Sequence, residues 1–248
     1  MKSFLFIYLA CFITFNAFSE EKTDSVQTQK NPIQISGNIQ LTNNGISPVP
    51  AFALGKPALM TSFSIRKGNF SFSPAFNYGI DGKPWVSNSW LRVQFPSNKF
   101  TFRTGLNWSL FFKRTSITEN AQTFEVQRAN KYLEFEGAVS YKVAENASIQ
   151  ALCWYTKGMD IDAVKYGYFY SLSASINKIR INKDLKLTLR PNLFFIDNSI
   201  PFNGLFVSGI AIWSFKNLPI SISMQAVKPL ITKPQSDFNW NIGLNFDF

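Results

Sequence analysis

The chain closes on Asp237-Phe238-Asn239-Trp240-Asn241-Ile242-Gly243-Leu244-Asn245-Phe246-Asp247-Phe248. Phe238, Trp240, Ile242, Leu244, Phe246 and Phe248 take every even position, while Asp237, Asn239, Asn241, Gly243, Asn245 and Asp247 take every odd one. Successive side chains of a strand point to opposite faces, so as a strand this stretch has one apolar face and one polar face. The apolar row is largely aromatic and continues to the last residue. Tilted, a strand of this length crosses the hydrocarbon of a bilayer. A lone strand would leave its backbone N–H and C=O groups unpaired in lipid, so the pattern calls for a closed sheet with no free edge.

The average composition conceals this segregation. Mean hydropathy is −0.03 over 248 residues, the value of a chain whose strand residues divide evenly between lipid and an aqueous lumen. The 26 phenylalanines and an aromatic share of 16% exceed what one soluble domain of this size needs, and aromatic girdles at two membrane interfaces would absorb them.

The other end of the chain points to export. Met1 to Ser19 has one charge, Lys2, then the apolar run Phe4 to Phe15, then Ala17-Phe18-Ser19 as a small-x-small cleavage site. This is a cleavable signal peptide over 1–19. An N-terminal membrane helix fits less well, because the run is short and Glu20-Glu21 follows at once. A lipobox at Leu9-Ala10-Cys11 fits less well still, because apolar residues continue through Phe15. Residues 20–32 (EEKTDSVQTQKNP) are polar and aperiodic and read as a flexible periplasmic segment, leaving 33–248 for the barrel. No later run reaches the roughly 18 apolar residues of a membrane helix.

Alternation then recurs along the chain. Strands are expected at Ile33–Leu41, Leu59–Arg66, Phe70–Tyr78, Trp85–Phe95, Phe100–Phe112, Tyr132–Val143, Ser148–Lys157, Val164 to about Ile181, Leu185–Phe195, Leu205–Phe215, Ile220–Ala226 and Phe238–Phe248. In the fifth, Phe100, Phe102, Leu106, Trp108, Leu110 and Phe112 alternate with Thr101, Arg103, Gly105, Asn107 and Ser109. The seventh has no assignable faces, because Ile149, Leu152 and Trp154 break the period. The eighth changes phase near Asn177, as a β-bulge would make it do. The connections at 42–57, 79–84, 113–131, 158–163, 196–204 and 227–237 are the longer ones. Those at 67–69, 96–99, 144–147, 182–184 and 216–219 are short. Long and short alternate without exception, and residues 113–131 form the longest loop. The expected fold class is therefore all-β: a transmembrane, antiparallel, up-and-down barrel of about 12 strands, 10 or 14 being the neighbouring counts, with short periplasmic turns and longer extracellular loops.

On these residues the chain resembles bacterial outer-membrane β-barrel proteins of porin-like architecture. In that family a terminal Phe preceded by alternating apolar residues is read by the barrel-insertion machinery, and the resemblance assigns that role to Phe248, Phe246 and Trp240. It also implies the bacterial outer membrane as location and outer-membrane lipid as surroundings. Twelve-stranded channels for acidic oligosaccharides are similar in size and in carrying basic lumens, though no motif ties this chain to them.

The lumen rows decide the chemistry. Arg66, Arg92, Arg103, Lys142, Lys165, Lys186 and Arg190 outnumber Glu134, Glu136, Asp237 and Asp247 there. Arg92, Arg103 and Arg190, with Lys186, are candidates for a basic constriction that favours anions. Pairing of each with a nearby carboxylate or carbonyl is the other reading. Glu134 and Glu136 share one face, where they form a solvated or salt-bridged patch, with Lys113 as one partner. The expected function is passive passage of small solutes, small anions among them. The alternative is an accessory barrel in a larger assembly with another outer-membrane protein, and the apolar first loop with Val49, Phe52 and Leu54 suits contact with a partner or folding into the pore mouth.

Other classes are disfavoured. The chain has no His, the general base on which known outer-membrane barrel enzymes rely, so no catalytic role is expected. With Cys11 lost in the leader, Cys153 is a lone thiol and no internal disulfide can form. No metal constellation and no cofactor is expected. The basic residues are scattered over strands and turns, so the net charge of +10 does not indicate nucleic acid.

Overall fold

The computed structural model describes residues 32–47, 53–119, 122–198 and 203–248. Expectations for the leader, the polar segment up to residue 31, Val49 and Phe52 lie outside them. The described residues form twelve strands: β1 Gln34–Thr42, β2 Ala58–Lys67, β3 Phe70–Gly79, β4 Pro84–Pro96, β5 Phe100–Glu119, β6 Gln122–Ala144, β7 Ala147–Gly158, β8 Tyr166–Arg180, β9 Leu185–Asn198, β10 Asn203–Phe215, β11 Ile220–Lys233 and β12 Asn239–Asp247. Each pairs antiparallel with its sequence neighbour, and β1 pairs with β12 to close the barrel.

The two faces follow the alternation. On β12, Trp240, Ile242, Leu244 and Phe246 are exposed outward, while Asn241 and Asn245 are buried inside. The same outward exposure repeats at Ile35, Ile39 and Leu41 on β1, at Phe70, Phe72 and Phe76 on β3, and at Phe100, Phe102, Leu106 and Trp108 on β5. Water would not tolerate so continuous an apolar band; lipid is the solvent that satisfies it. Inside, Asn245 Nδ2 donates to Ser221 O (3.2 Å) and Ser223 Oγ (3.1 Å), and Gln40 Nε2 donates to Ser223 Oγ at 2.9 Å. Polar side chains thus link the lumen faces of β1, β11 and β12.

Five residue pairs, from Asn38↔Asp247 to Thr42↔Gly243, align β1 with β12. Beyond them Gly37 N donates to Phe248 O at 2.7 Å and Phe248 N donates to Gly37 O at 3.0 Å. The Phe248 ring lies across Gly37, where a Cβ would strike it, and meets Phe63 edge-on at 5.8 Å. Gly37 is therefore the socket into which the last ring of the chain seats.

The expected phase change on β8 is a bulge between Ile176 and Ile179, with Lys178 at φ 55°. Two expected boundaries are corrected. Within 113–131, residues 113–119 and 122–131 are strand rather than loop: β5 and β6 stay paired from Lys113↔Arg128 to Glu119↔Gln122. At 20 and 23 residues these strands outrun the roughly 9–11 that cross a bilayer, so their far ends stand out as a ribbon. Both faces of a ribbon meet water, which removes the apolar–polar period that marks the strands below. Likewise β11 continues through Val227 to Lys233 rather than stopping at Ala226. The turns at one end hold two to four residues, and the longer side extends partly as strand overhang.

Candidate functional site

The lumen is organised by register. Arg92 on β4 is level with Gly105 on β5, Gly105 with Glu136 on β6, Glu136 with Trp154 on β7, and Trp154 with Phe169 on β8. Gly105 makes the row work: a Cβ there would press on Arg92 Cγ at 2.9 Å. With none, the Arg92 side chain crosses β5 and donates from Nε and an Nη to Glu136 at 3.1 and 3.2 Å. Arg103 Nε donates to Glu136 Oε1 at 2.5 Å, and Trp154 Nε1 to Oε2 at 3.0 Å. The Glu136 carboxylate is 1% exposed, so burial is compensated by two guanidinium groups and an indole N–H. Arg92 also stacks on Trp90, 4.1 Å from the ring centroid.

Glu134, two residues outward, is handled differently. Its Oε2 accepts from Asn107 Nδ2 at 2.7 Å, and Asn107 also donates to Asn88 Oδ1 at 3.1 Å. Glu134 forms no ion pair among the described residues. The expected partnership of these two glutamates with Lys113 is corrected: Lys113 stands on the ribbon opposite Arg128, above the lumen cluster.

A cavity of about 640 Å³ toward the short-turn end brings Arg92, Arg103 and Arg190 together with Glu136. The rest of its wall is chiefly small and neutral, as at Ser171, Ser173 and Gln225. Arg190, on β9, takes no hydrogen bond or ion pair among the described residues, and the neighbouring Asn192 Oδ1 is buried without a partner. The remaining charges lie apart. Arg66 is tied to Gly68 O (3.1 Å) and Gln94 Oε1 (2.9 Å) at a short turn. Lys186 is exposed near the start of β9. Lys165 and Asp237 fall in connections rather than on lumen strands, which corrects their expected place. Asp247 is at the seam, accepting from Asn38 Nδ2 at 2.8 Å.

Alternation alone did not reveal the apolar content of the lumen. Trp154, Phe169, Phe194 and Phe206 stack in sequence, with centroids 4.9, 5.3 and 5.0 Å apart. Ile46, from the first loop, is buried among Phe169, Phe194, Ile196, Phe206 and Val227. That loop is fastened to β12: Asn44 Nδ2 donates to Asn239 Oδ1 at 2.7 Å, and Asn241 Nδ2 donates to Asn44 O at 3.1 Å. Asn44 and Ile46, at the described start of that connection, therefore lie inside the barrel. A second cavity, of about 230 Å³, lies at the long-loop end; both cavities are lined by Trp154 and Phe169. Outside the membrane, Lys56 Nζ and an Arg114 Nη hold Asp81 Oδ2 at 2.6 and 2.9 Å, and the Lys56 bond foremost keeps that carboxyl below its usual range.

No protein-family model and no curated protein matches the chain. Solved structures share its architecture. KdgM porin in complex with disordered oligogalacturonate superposes with a TM-score of 0.55 at 10% identity, over 86% of this chain and 98% of that one. The COG4313 outer membrane channel from Pseudomonas putida F1 gives 0.53 at 8% identity, over 90% and 99%. At such identities the likeness is one of fold: a twelve-stranded barrel built as outer-membrane porins are.

Proposed function

We propose that this protein is an outer-membrane, porin-like channel for small solutes, in which Arg190 gives the inner cavity a preference for anions. The observation that carries the reading is that free guanidinium group, facing a cavity of about 640 Å³ inside a closed barrel. Arg92 and Arg103 share one carboxylate, Glu136, so that cluster adds one net positive charge beside it. Confinement in a narrow lumen focuses such a field on whatever passes. One neighbour of shared fold is KdgM porin in complex with disordered oligogalacturonate, which agrees with an anion-favouring interior. Single-channel recording across a salt gradient tests this. Steps with an anion-selective reversal potential are expected, with selectivity reduced in Arg190→Gln and reversed in Arg190→Glu. Absence of steps from folded protein contradicts the channel, and unchanged selectivity in both variants contradicts the role of Arg190.

The β5–β6 ribbon favours a second reading, in which the barrel is an accessory subunit. Its exposed residues 115–118 and 122–125 lie beyond the points at which Arg114 and Gln127 tie it to Asp81 and Pro84, and a stoichiometric partner co-purifying only with an intact ribbon is the outcome that would favour it.

A further inference from the structure

The outer cavity has a chemistry opposite to that of the inner one. Among the described residues, no Lys or Arg lines it. Its floor follows the register row that runs from Trp90 through Asn107 and Glu134 to Thr156. Trp85, Trp90 and Trp154 contribute aromatic surface, and Asn88 and Glu134 contribute polar groups, around a space of about 230 Å³. That space suits one small ring rather than a chain. Trp90 and Trp154 are 5.8 Å apart between centroids, with planes inclined at 36°.

Three ligand classes can be weighed against this wall. An anion finds no cation there and faces the Glu134 carboxylate. An organic cation would meet the Arg92 guanidinium that already stacks on Trp90 at 4.1 Å, and like charge repels it. A neutral polyol ring fits both components. Its C–H groups pack on the indole surface that lines the cavity, and its hydroxyl groups, which donate and accept, suit the Glu134 carboxyl group and the Asn88 amide that line the same space.

We propose that the outer cavity is a binding site for a single ring of a neutral saccharide, held against Trp90 and Trp154 and oriented by Glu134 and Asn88. This deepens the channel reading and rests on it for how the sugar moves onward; occupancy of the site does not require conductance. The test titrates folded protein in detergent with maltotriose, trigalacturonate and choline, following tryptophan fluorescence and heat of binding. Maltotriose is expected to saturate with an affinity independent of ionic strength, since no charge pair is formed. Trp154→Ala should weaken it roughly tenfold. Because Trp154 also bonds Glu136, Asn88→Ala provides a second variant, expected to weaken binding several-fold while leaving heat-modifiable gel migration unchanged. Choline or trigalacturonate binding more tightly than maltotriose would overturn the site, as would failure of folded wild-type protein to saturate. Maltotriose binding without conductance upholds the site and overturns the channel, whereas conductance without maltotriose binding does the reverse.

Discussion

Glu136→Ala is expected to destabilise the folded barrel by about 3–5 kcal/mol, because it leaves two guanidinium groups in the lumen wall without their shared counter-charge. The carboxylate is 1% exposed, and the Arg92 and Arg103 side chains are only 19% and 23% exposed, so water cannot fully replace what is lost. Trp154 Nε1 would lose its acceptor in the same step. Urea unfolding in detergent, followed by gel migration without heating, measures the effect; Glu136→Gln, which keeps an acceptor oxygen, should fall between alanine and wild type. The surviving variant should conduct with stronger anion selectivity, since a negative charge has left a positive cluster. Wild-type stability for Glu136→Ala would show that solvent already screens the cluster and that the row is not a structural unit.

The second large effect concerns the seam. Gly37→Val is expected to lower the yield of assembled barrel, because the new side chain occupies the place of the Phe248 ring and turns it away from Phe63 on the strand that must close the barrel. Removing Phe248 should act similarly, through loss of the two backbone hydrogen bonds it exchanges with Gly37 and of its contact with Phe63. Gly209→Ala is the control, since the space around that glycine is open. The measurement is the yield of heat-modifiable, β-rich protein. Efficient folding of Gly37→Val would show that the ring and its socket are incidental to closure.

The sequence disclosed faces better than heights. Strict alternation on β5 and β12 assigns each side chain to lipid or lumen, and the same reasoning gives twelve strands and the bulge on β8. It cannot say that Arg92 and Glu136, 44 residues apart, stand level, because that depends on the register of two intervening pairings. Nor does it show that Gly105 is the gap through which they meet. The apolar lumen was obscured for a different reason. A porin interior is expected to be polar, and Trp90, Trp154, Phe169, Phe194 and Phe206 contravene that expectation by packing on one another and on Ile46. The broken alternation at Leu152 and Trp154 was its visible trace: both lie in the lumen-facing phase of β7, packed against the apolar cluster. The ribbon and the end of β11 were hidden because alternation reports a boundary between two solvents, and it fades where both faces of a strand leave the membrane.

All of this rests on β12 pairing with β1 in the register that sets Asn38 beside Asp247. Directly opposed residues of antiparallel strands are about 4.5–5.5 Å apart at Cα, within the span of a disulfide, and here the two side chains already touch at 2.8 Å. The direct measurement is oxidation of Asn38→Cys/Asp247→Cys in a Cys153→Ser background, followed by full denaturation on a gel without reductant. The closed twelve-stranded barrel predicts a circularised chain with altered migration that reductant restores, and no such product when Asp247→Cys is moved one position to Phe246→Cys, whose side chain faces lipid. Failure of the first pair to cross-link in folded protein, or equal cross-linking by both, would contradict it.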